Sequence, residues 1–182
     1  MVYLITCSGS KHIENGKPSS ISNLSYPSLN SFRLKLIESS NIKLDWENTL
    51  PAWKLYSGKR SKLYTKISSE NWLKECKEVK ILSALFGWID SNDYIPYYDL
   101  QMKDKINNIY VYNIWHSYSV LESFVNNTDI DLLTNPYRKA INGIGAAVAR
   151  VPNVVFADNY GTNKGIWLNS QLNDLKCVQT DK

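Results

Sequence analysis

The 182-residue sequence predicts a single α/β domain spanning residues 1–182, with a mostly parallel or mixed central sheet flanked by helices. Apolar runs of strand length recur at residues 2–7, 79–85, 130–133 and 154–157. Segments with apolar residues at helical spacing lie between these runs. Strands that alternate with helices are typical of an α/β sheet, and neither a linker nor an internal repeat divides the sequence.

Four stretches are predicted to be the main helices. Pro27 is expected to open the first, because proline is favoured at the first helical position. Apolar side chains at near-helical spacing predict a second helix over 61–77, with Ser61 as its N-cap. The strongest one-sided apolar pattern predicts a third helix over 104–126, and a last helix is expected over about 165–175.

Polar loops follow the predicted strands. In open α/β sheets the functional crevice lies outside the carboxyl ends of the strands. The loops of this kind are residues 8–11, 86–99, 134–139 and 158–164, and residues 86–104 as a whole are expected to form a long aromatic loop. We therefore expect the functional residues in these segments.

The composition is that of an ordinary globular protein, with 43% hydrophobic and 21% charged residues. No apolar run approaches the roughly 20 residues needed to cross a bilayer, so no membrane partner is expected. The first residues lack the basic region and cleavage site of a signal peptide. A cytoplasmic location is the expectation.

Cysteine and histidine are too few and too scattered for a metal site. The three cysteines form no CxxC pair and there are only two histidines, so neither a metal nor another cofactor is expected. The formal charge of +4 is compatible with a phosphate-rich partner such as DNA. The twelve tyrosines and six tryptophans are either core residues or surfaces on which bases stack.

The first strand ends in a polar turn that contains Ser8, Ser10 and Lys11. Backbone N–H groups, two hydroxyls and an ammonium group in such a turn can hold a phosphate. The turn does not have the spacing of a Walker A motif. The alternative is an ordinary turn at the end of a strand, with Cys7 as a buried core residue.

Three acids lie among aromatic residues in the segment 86–99. Cleavage of a glycosidic bond passes through an oxocarbenium-like transition state, which a carboxylate can stabilise, while aromatic rings can stack on a flipped base. Asp90 and Asp93 are turn residues, and Asp90 is expected to bond its own backbone. Asp99, which follows two tyrosines, is the better candidate for a catalytic role.

A second polar cluster lies at a predicted strand-to-helix junction, where Pro136 can open a helix. Asn135 could read a base edge, and Arg138 and Lys139 suit phosphates. The alternative is that Asn135 is an N-cap, followed by solvated cations.

Residues 141–150 contain the Gly-Ile-Gly pattern of a helix-hairpin-helix turn, whose backbone N–H groups contact a DNA phosphate. Gly143 and Gly145 are the residues concerned, and a Gly-rich turn that permits close packing is the alternative. If the cations contact phosphates, one face should carry all five of them: Lys11, Arg138, Lys139, Arg150 and Lys164.

Several of these motifs together are similar to a known family. The most specific is Leu-Ser-Ala-Leu-Phe-Gly at 82–87, followed by Asp90 and Pro-Tyr at 96–97. The Ser/Lys turn at 5–11 and Leu-Tyr-Ser-Gly at 55–58 also match. The sequence therefore resembles the YaaA-like family, a bacterial family linked to peroxide stress and DNA binding.

The resemblance implies double-stranded DNA as the partner. Relatives are associated with the processing of hypermodified bases in phage conflict, which implies a metal-independent DNA glycosylase that flips its target base and serves in phage defence. The alternatives are a non-catalytic DNA-binding stress protein and a nucleoside or nucleotide hydrolase.

The residues considered above and the resemblance together give candidate roles for individual residues. Asp99 and Asn135 are the candidate catalytic residues, with Asp158 next in line, and either Tyr97 or Tyr98 corresponds to the family tyrosine. The substrate-binding candidates are Cys7, Ser8, Ser10, Lys11, Tyr56, Ser83, Phe86, Gly87, Tyr97, Tyr98 and Tyr137. The DNA-binding candidates are Arg138, Lys139, Gly143, Gly145, Arg150 and Lys164.

Overall fold

The structure, a computed structural model, describes residues 2–74, 79–141, 149–150 and 160–174. Strands and helices alternate in the first and last parts of this length, and five consecutive strands lie between them. In chain order the elements are β1 (Tyr3–Thr6), α1 (Asn30–Ser40), β2 (Thr49–Pro51), α2 (Ala52–Leu55), α3 (Ser69–Leu73), β3 (Val79–Ser83), β4 (Gly87–Asp90), β5 (Tyr94–Pro96), β6 (Lys105–Ile106), β7 (Ile109–Tyr110), α4 (Val111–Tyr118), β8 (Ile130–Asp131), α5 (Asn135–Lys139), β9 (Ala149–Arg150) and α6 (Tyr160–Asp174).

A five-stranded mixed sheet forms the centre, with the strand order β4-β3-β1-β8-β9. β1 runs parallel to both β3 and β8, and β8 runs parallel to β9. β4 is an antiparallel edge strand beside β3. The predicted α/β class with a mostly parallel or mixed sheet is confirmed, and the predicted strands at 2–7, 79–85 and 130–133 are present in it.

β1 lies in the middle of the sheet and is buried on both faces. Tyr3, Leu4 and Ile5 are at most 2% exposed. A strand that is covered on both faces needs apolar residues at every position, which explains the continuous apolar run. Beyond the strand, the amide of Cys7 donates to Leu82 O at 3.0 Å. The carboxyl ends of β1, β3 and β8 therefore meet at one edge of the sheet.

The helix predicted over 61–77 is wrong in extent and in its cap. A 3₁₀ turn covers Tyr64–Lys66, and Ile67 then adopts an extended conformation that ends it. α3 begins two residues later, with Ser68 rather than Ser61 as the N-cap. The Ser68 hydroxyl accepts from the Asn71 amide at 3.3 Å, so the local capping bond overrides the longer apolar pattern.

The long loop predicted over 86–104 is also wrong, because it contains two strands. Gly87 has φ of +64°, which turns the chain back so that β4 pairs antiparallel with β3. A Cβ at this position would lie 3.0 Å from the Trp115 ring, so close packing also requires glycine. β5 pairs antiparallel with β2, outside the main sheet.

The helix predicted over 104–126 is wrong in extent, because the α-helix in this range is α4, which spans Val111–Tyr118. Asn107 and Asn108 have φ of +50° and +65°, the pair of positive angles that a tight hairpin turn needs, and asparagine tolerates them well. β6 and β7 therefore form a hairpin before the helix. α4 then ends at Ser119, whose φ is +47°.

The last helix begins at Tyr160, earlier than the predicted start near 165, so residues 160–164 are helical and not a loop. The strand predicted at 154–157 lies outside the described residues. Within the described ranges, no helix is long and apolar enough to cross a membrane.

A buried arginine fastens α1 to the β4 edge of the sheet. The Arg33 guanidinium donates to Phe86 O at 2.8 Å, to Trp88 O at 2.6 Å and to Ser25 O at 2.8 Å. Burial lowers the pKa of Arg33 to about 10, an effect that Asp93 opposes. The residue still carries its proton at neutral pH, and it satisfies carbonyl groups that neighbouring strands do not reach.

We predict that Arg33→Met lowers the free energy of unfolding by about 3 kcal/mol or more, because it leaves buried carbonyls without donors. Urea denaturation followed by circular dichroism measures this change. Lys35→Met, an exposed position on the same helix, is the matched control and should change stability little. Equal stability of the two variants would show that these carbonyls are satisfied in another way.

Candidate functional site

A cavity of about 240 Å³ lies beyond the carboxyl ends of β1 and β8. It is walled by the turn after β1, the segment 61–64, the residues after β8 and the first turns of α6. This is the position at which ligands bind in open α/β sheets. The lining residues are Thr6, Cys7, Ser8, Gly9, Ser61, Lys62, Leu63, Tyr64, Leu132, Thr134, Gly161 and Lys164.

Lys164 is the buried cationic residue of this wall. It is 2% exposed, and its Nζ donates to Leu132 O at 2.5 Å. Burial lowers the pKa of Lys164 to about 8, and Arg138 adds to this effect while Asp131 opposes it. Lys164 was expected on a surface that contacts DNA, but its side chain lies inside the molecule at the cavity.

Two glycines of α6 allow the helix to come this close. A Cβ on Gly161 would lie 3.0 Å from the Lys62 side chain. A Cβ on Gly165 would lie 2.5 Å from Leu63 O, a distance that no real Cβ tolerates. The glycines flank Lys164 on the side of the helix that faces the segment 61–66, and this spacing is a signal that sequence reasoning missed.

Cys7 forms part of the cavity wall and contacts a tyrosine. Its Sγ lies 3.0 Å from the Tyr137 hydroxyl, across 130 residues of sequence. Burial raises the pKa of Tyr137, and the nearby Cys7 thiol raises it further. Tyr137 therefore keeps its proton and can donate to Cys7 Sγ. Two of the predicted substrate-binding residues, Cys7 and Tyr137, are thus in contact.

Three hydroxyl groups form a buried chain beside Cys7. Tyr98 OH lies 2.9 Å from Ser83 Oγ and 2.7 Å from Tyr56 OH. The Ser83 hydroxyl also accepts from the amide of Phe86 at 3.0 Å. Burial raises the pKa values of Tyr56 and Tyr98, so both remain protonated donors.

Tyr97 and Tyr98 have different environments. Tyr98 is 1% exposed and belongs to this hydroxyl chain, whereas Tyr97 is 50% exposed. Lys11 Nζ lies 4.5 Å from the centre of the Tyr98 ring and 5.9 Å from that of Tyr97. Burial lowers the pKa of Lys11, and Cys7 and Asp99 are the leading groups that oppose this shift. Asp99 itself is exposed and is not a lining residue of the cavity.

The turn after β1 is held by its own serines. Ser8 Oγ accepts from the Ser10 amide, and Ser10 Oγ accepts from the Arg60 amide, both at 3.1 Å. Gly58 lies directly against the turn. A Cβ there would come within 2.6 Å of Ser10 Oγ and 2.7 Å of the Lys11 backbone.

Two of the predicted substrate-binding residues are core residues. Phe86 is fully buried and packs its ring edge-to-face on Tyr98, with centroids 5.4 Å apart. Gly87 is the first residue of β4, and a Cβ there would meet the Trp115 ring. Phe86 therefore supports the hydroxyl chain through Tyr98, and neither residue is among the lining residues of the cavity.

The interpretation that Asp90 bonds its own backbone is wrong. The Asp90 carboxylate accepts from Tyr26 OH and Ser25 Oγ, both at 2.9 Å. Asp93 makes the local turn bond, because its Oδ2 accepts from the Asp90 amide at 3.0 Å. Burial raises the pKa of Asp93, against the hydrogen bonds from Ser25 that lower it. These acids connect β4 to the segment before α1.

α5 separates the residues of the second polar cluster. Asn135 is exposed and is the first residue of the helix, while Thr134 occupies the N-cap position without a side-chain cap bond. Arg138 Nε donates to the buried Asp131 Oδ2 at 2.6 Å. Lys139 is exposed, with its Nζ 5.3 Å from the centre of the Tyr112 ring.

Some candidates lie outside the described residues, namely Gly143, Gly145 and Asp158. Arg150 is the last residue of β9. The helix-hairpin-helix turn therefore stays a prediction. Among the described residues, no three side chains of the histidine, cysteine or acidic type come together as metal ligands.

The pattern of the chain as a whole matches a known family. A model of the family described as peroxide stress protein YaaA matches residues 10–168. The chain belongs to this family. No curated protein sequence matches the chain significantly. The family match covers the hydroxyl chain and most lining residues of the cavity, and it begins at Ser10, within the turn after β1.

In this YaaA-family protein the cavity is bordered by cations that sequence reasoning missed. From residue 48 to residue 69 the sequence has five basic residues and no acidic one. Lys62 lines the cavity, and the segment that carries it runs from Gly58, which contacts the turn after β1, to Lys66 beside α6. We call the four exposed cations of this segment the basic rim: Lys59, Arg60, Lys62 and Lys66.

We predict that Gly58→Ala displaces the turn after β1 and lowers the free energy of unfolding by about 1–3 kcal/mol, because the new methyl group meets backbone that cannot move freely. Thermal denaturation measures the change. Gly9→Ala is the matched control, since a Cβ there meets only the end of the Gln101 side chain, at 3.4 Å. If Gly58→Ala leaves the free energy of unfolding unchanged while Gly9→Ala lowers it, the close packing of Gly58 on the turn after β1 is contradicted.

Proposed function

We propose that this member of the peroxide stress protein YaaA family binds double-stranded DNA along the basic rim and takes a single flipped base into the adjacent cavity. The observation that carries the proposal is that the exposed cations and the cavity are contiguous, because Lys62 belongs to both. A backbone phosphate on the rim would bring its own base to the mouth of the cavity.

The basic rim has the properties of a phosphate-binding surface. Its cations are exposed, so they can reach DNA phosphates and displace the counterions that are condensed on the DNA. The segment that carries it contains no acidic residue to cancel its field. The amide of Arg60 is bonded to Ser10, which fixes the rim against the turn after β1.

The cavity has a size and lining that suit one base. Its volume of about 240 Å³ falls short of the roughly 300–1,000 Å³ of sites for drug-sized ligands. Tyr64 provides an aromatic wall, and Ser8, Thr134 and Lys164 provide polar groups that can pair with a base edge. Burial of one ring among these residues would offset the free energy of unstacking, which is a few kcal/mol.

We predict that Lys62→Gln/Lys66→Gln lowers the slope of log Kobs against log salt concentration by about 2, because each phosphate contact contributes about 0.9. Titration of a fluorescent duplex at several salt concentrations measures this slope. Lys35→Gln/Lys43→Gln removes the same charge from exposed positions on α1 and the turn after it, and it should leave the slope nearly unchanged.

Two results would count against the proposal. An equal loss of slope in both double variants would assign the binding to net charge and not to the basic rim. Absence of binding by the wild-type protein at low salt would remove DNA as the partner, and the nucleoside or nucleotide hydrolase alternative would then take its place.

We also propose base excision as a second activity, with Asp99 as the group that stabilises the developing positive charge on the sugar. Asp99 is an exposed carboxylate within electrostatic reach of Lys11, which in turn interacts with Cys7 at the cavity wall. Asn135 is exposed at the start of α5 and is the second candidate for this role. If the excised base is a phage hypermodification, the activity would serve phage defence.

We predict that Asp99→Asn lowers the rate of base release by about a hundredfold or more, because asparagine keeps the size of the side chain and loses its charge. Mass spectrometry of free bases released from modified phage DNA measures the rate, and a titration checks that DNA binding is retained. Asn135→Ala is the companion variant. If the wild-type protein releases no base from any modified DNA, non-catalytic DNA binding is the function.

A further inference from the structure

The hairpin formed by β6 and β7 holds apolar side chains out in solvent. The two strands pair Ile106 with Ile109, and the two asparagines between them form the turn. Ile106 is 7% exposed and belongs to the core, whereas Ile109 is 52% exposed and the next residue, Tyr110, is 38% exposed. The fold therefore buries the apolar residue of β6 and leaves both residues of β7 outside.

The base of the hairpin is fixed to the core. The Val111 amide donates to Asp104 O at 2.9 Å, and the Tyr112 amide donates to Met102 O at 3.0 Å. The side chains of Val111 and Met102 are at most 1% exposed. Because the backbone of the hairpin is already ordered, contact with a partner would cost little further conformational entropy.

Lysines accompany the exposed rings of this region. The rings of Tyr110 and Tyr112 are stacked, with centroids 5.0 Å apart and 11° between their planes. Lys105 Nζ lies 4.7 Å from the centre of the Tyr110 ring, and Lys139 Nζ lies 5.3 Å from that of Tyr112. Both lysines are exposed, so apolar and positively charged groups share one small surface.

The charge and the area of this surface fit DNA better than a protein. Between residues 100 and 118 there are two lysines, Lys103 and Lys105, and one acid, Asp104, whose carboxylate accepts from the Gln101 amide at 2.7 Å. A stable protein interface buries about 800 Å² on each partner, far more than two half-exposed side chains supply. Proteins that kink a duplex, by contrast, insert only a few apolar side chains between base steps, and cations contact the neighbouring phosphates.

We propose that the β6–β7 hairpin is a wedge that inserts Ile109 and Tyr110 into the base stack of a DNA duplex, with Lys103, Lys105 and Lys139 on the adjacent phosphates. The wedge would fill the space that a base leaves when it turns into the cavity. This inference rests on the DNA binding and base flipping proposed above, and it adds the element that separates the bases.

The hairpin is joined to the cavity wall at two points. Gln101, at the base of the hairpin, lies against Gly9 of the wall, because a Cβ on Gly9 would be 3.4 Å from Gln101 Nε2. Thr134 lines the cavity as the N-cap of α5, and Lys139 at the far end of that helix reaches the Tyr112 ring. A duplex on the basic rim, which borders the same cavity, would therefore present its flipped base to the cavity and the resulting gap to the hairpin.

The first experiment uses the full-length protein and a duplex that contains one 2-aminopurine, a base that is dark when stacked and fluoresces when unstacked. We expect saturating wild-type protein to raise the fluorescence severalfold. Ile109→Ala should lose most of this rise, because alanine is too short to hold the stack open. Leu34→Ala on α1, where the wild-type side chain is 54% exposed, is the matched control and should keep the full rise.

The second experiment separates a wedge from a simple contact. A pyrene nucleotide opposite the target base fills the space in the stack without help from the protein. On an ordinary duplex Ile109→Ala should bind about tenfold more weakly than wild type, because less apolar surface is buried. On the pyrene duplex the two proteins should bind nearly equally. Equal weakening on both duplexes would overturn the wedge and leave the hairpin as a contact surface.

The wedge and the proposed function fail in different ways. Wild-type protein that binds the duplex, with 2-aminopurine fluorescence that does not depend on Ile109, overturns the wedge alone. Absence of duplex binding by the wild type at low salt overturns both. Fluorescence that depends on Ile109, together with an unchanged salt slope in Lys62→Gln/Lys66→Gln, supports the wedge and removes the basic rim as the phosphate-binding surface.

Discussion

The arrangement of the site depends on one buried hydroxyl, that of Ser83. Ser83 is the last residue of β3. Its hydroxyl accepts from the amide of Phe86 in the following turn and forms a hydrogen bond with Tyr98 OH. Tyr98 OH in turn forms a hydrogen bond with Tyr56 OH. Three parts of the chain, at residues 56, 83–86 and 98, are thereby fixed around one network. Because the Tyr98 ring lies under Lys11, the same network also positions the turn after β1.

Arg33 and Lys164 are buried cations that donate to main-chain carbonyls. Arg33 has three carbonyl partners and keeps its charge, so it acts as a structural fastener between α1 and β4. Lys164 donates to Leu132 O and so joins α6 to the residues after β8. Burial lowers the pKa of both groups, to about 10 for Arg33 and to about 8 for Lys164, where Arg138 adds to the effect and Asp131 opposes it.

Sequence reasoning identified the central strands correctly because a parallel strand buried on both faces is a continuous apolar run, as at Tyr3–Thr6. It failed where local turn chemistry overrode periodicity: Asn107 and Asn108 form a hairpin turn inside a helical pattern, and Gly87 starts a strand inside an apparent loop. In the site, Tyr98 and Ser83 were found through the family motif. Lys164 was expected in a loop on a DNA-binding face, whereas it lies in α6 with a buried side chain, because burial of a lysine has no signature in one sequence apart from the glycines beside it.

Two lysines line the same cavity at different depths. Lys62 is exposed, whereas Lys164 is 2% exposed and its Nζ donates to Leu132 O. Under the proposed function, the exposed cations of the segment 59–66 are the ones that can reach a phosphate outside the cavity. Lys164 can meet only the part of a ligand that enters the cavity. The depth of each side chain therefore decides which part of a bound nucleic acid it can contact.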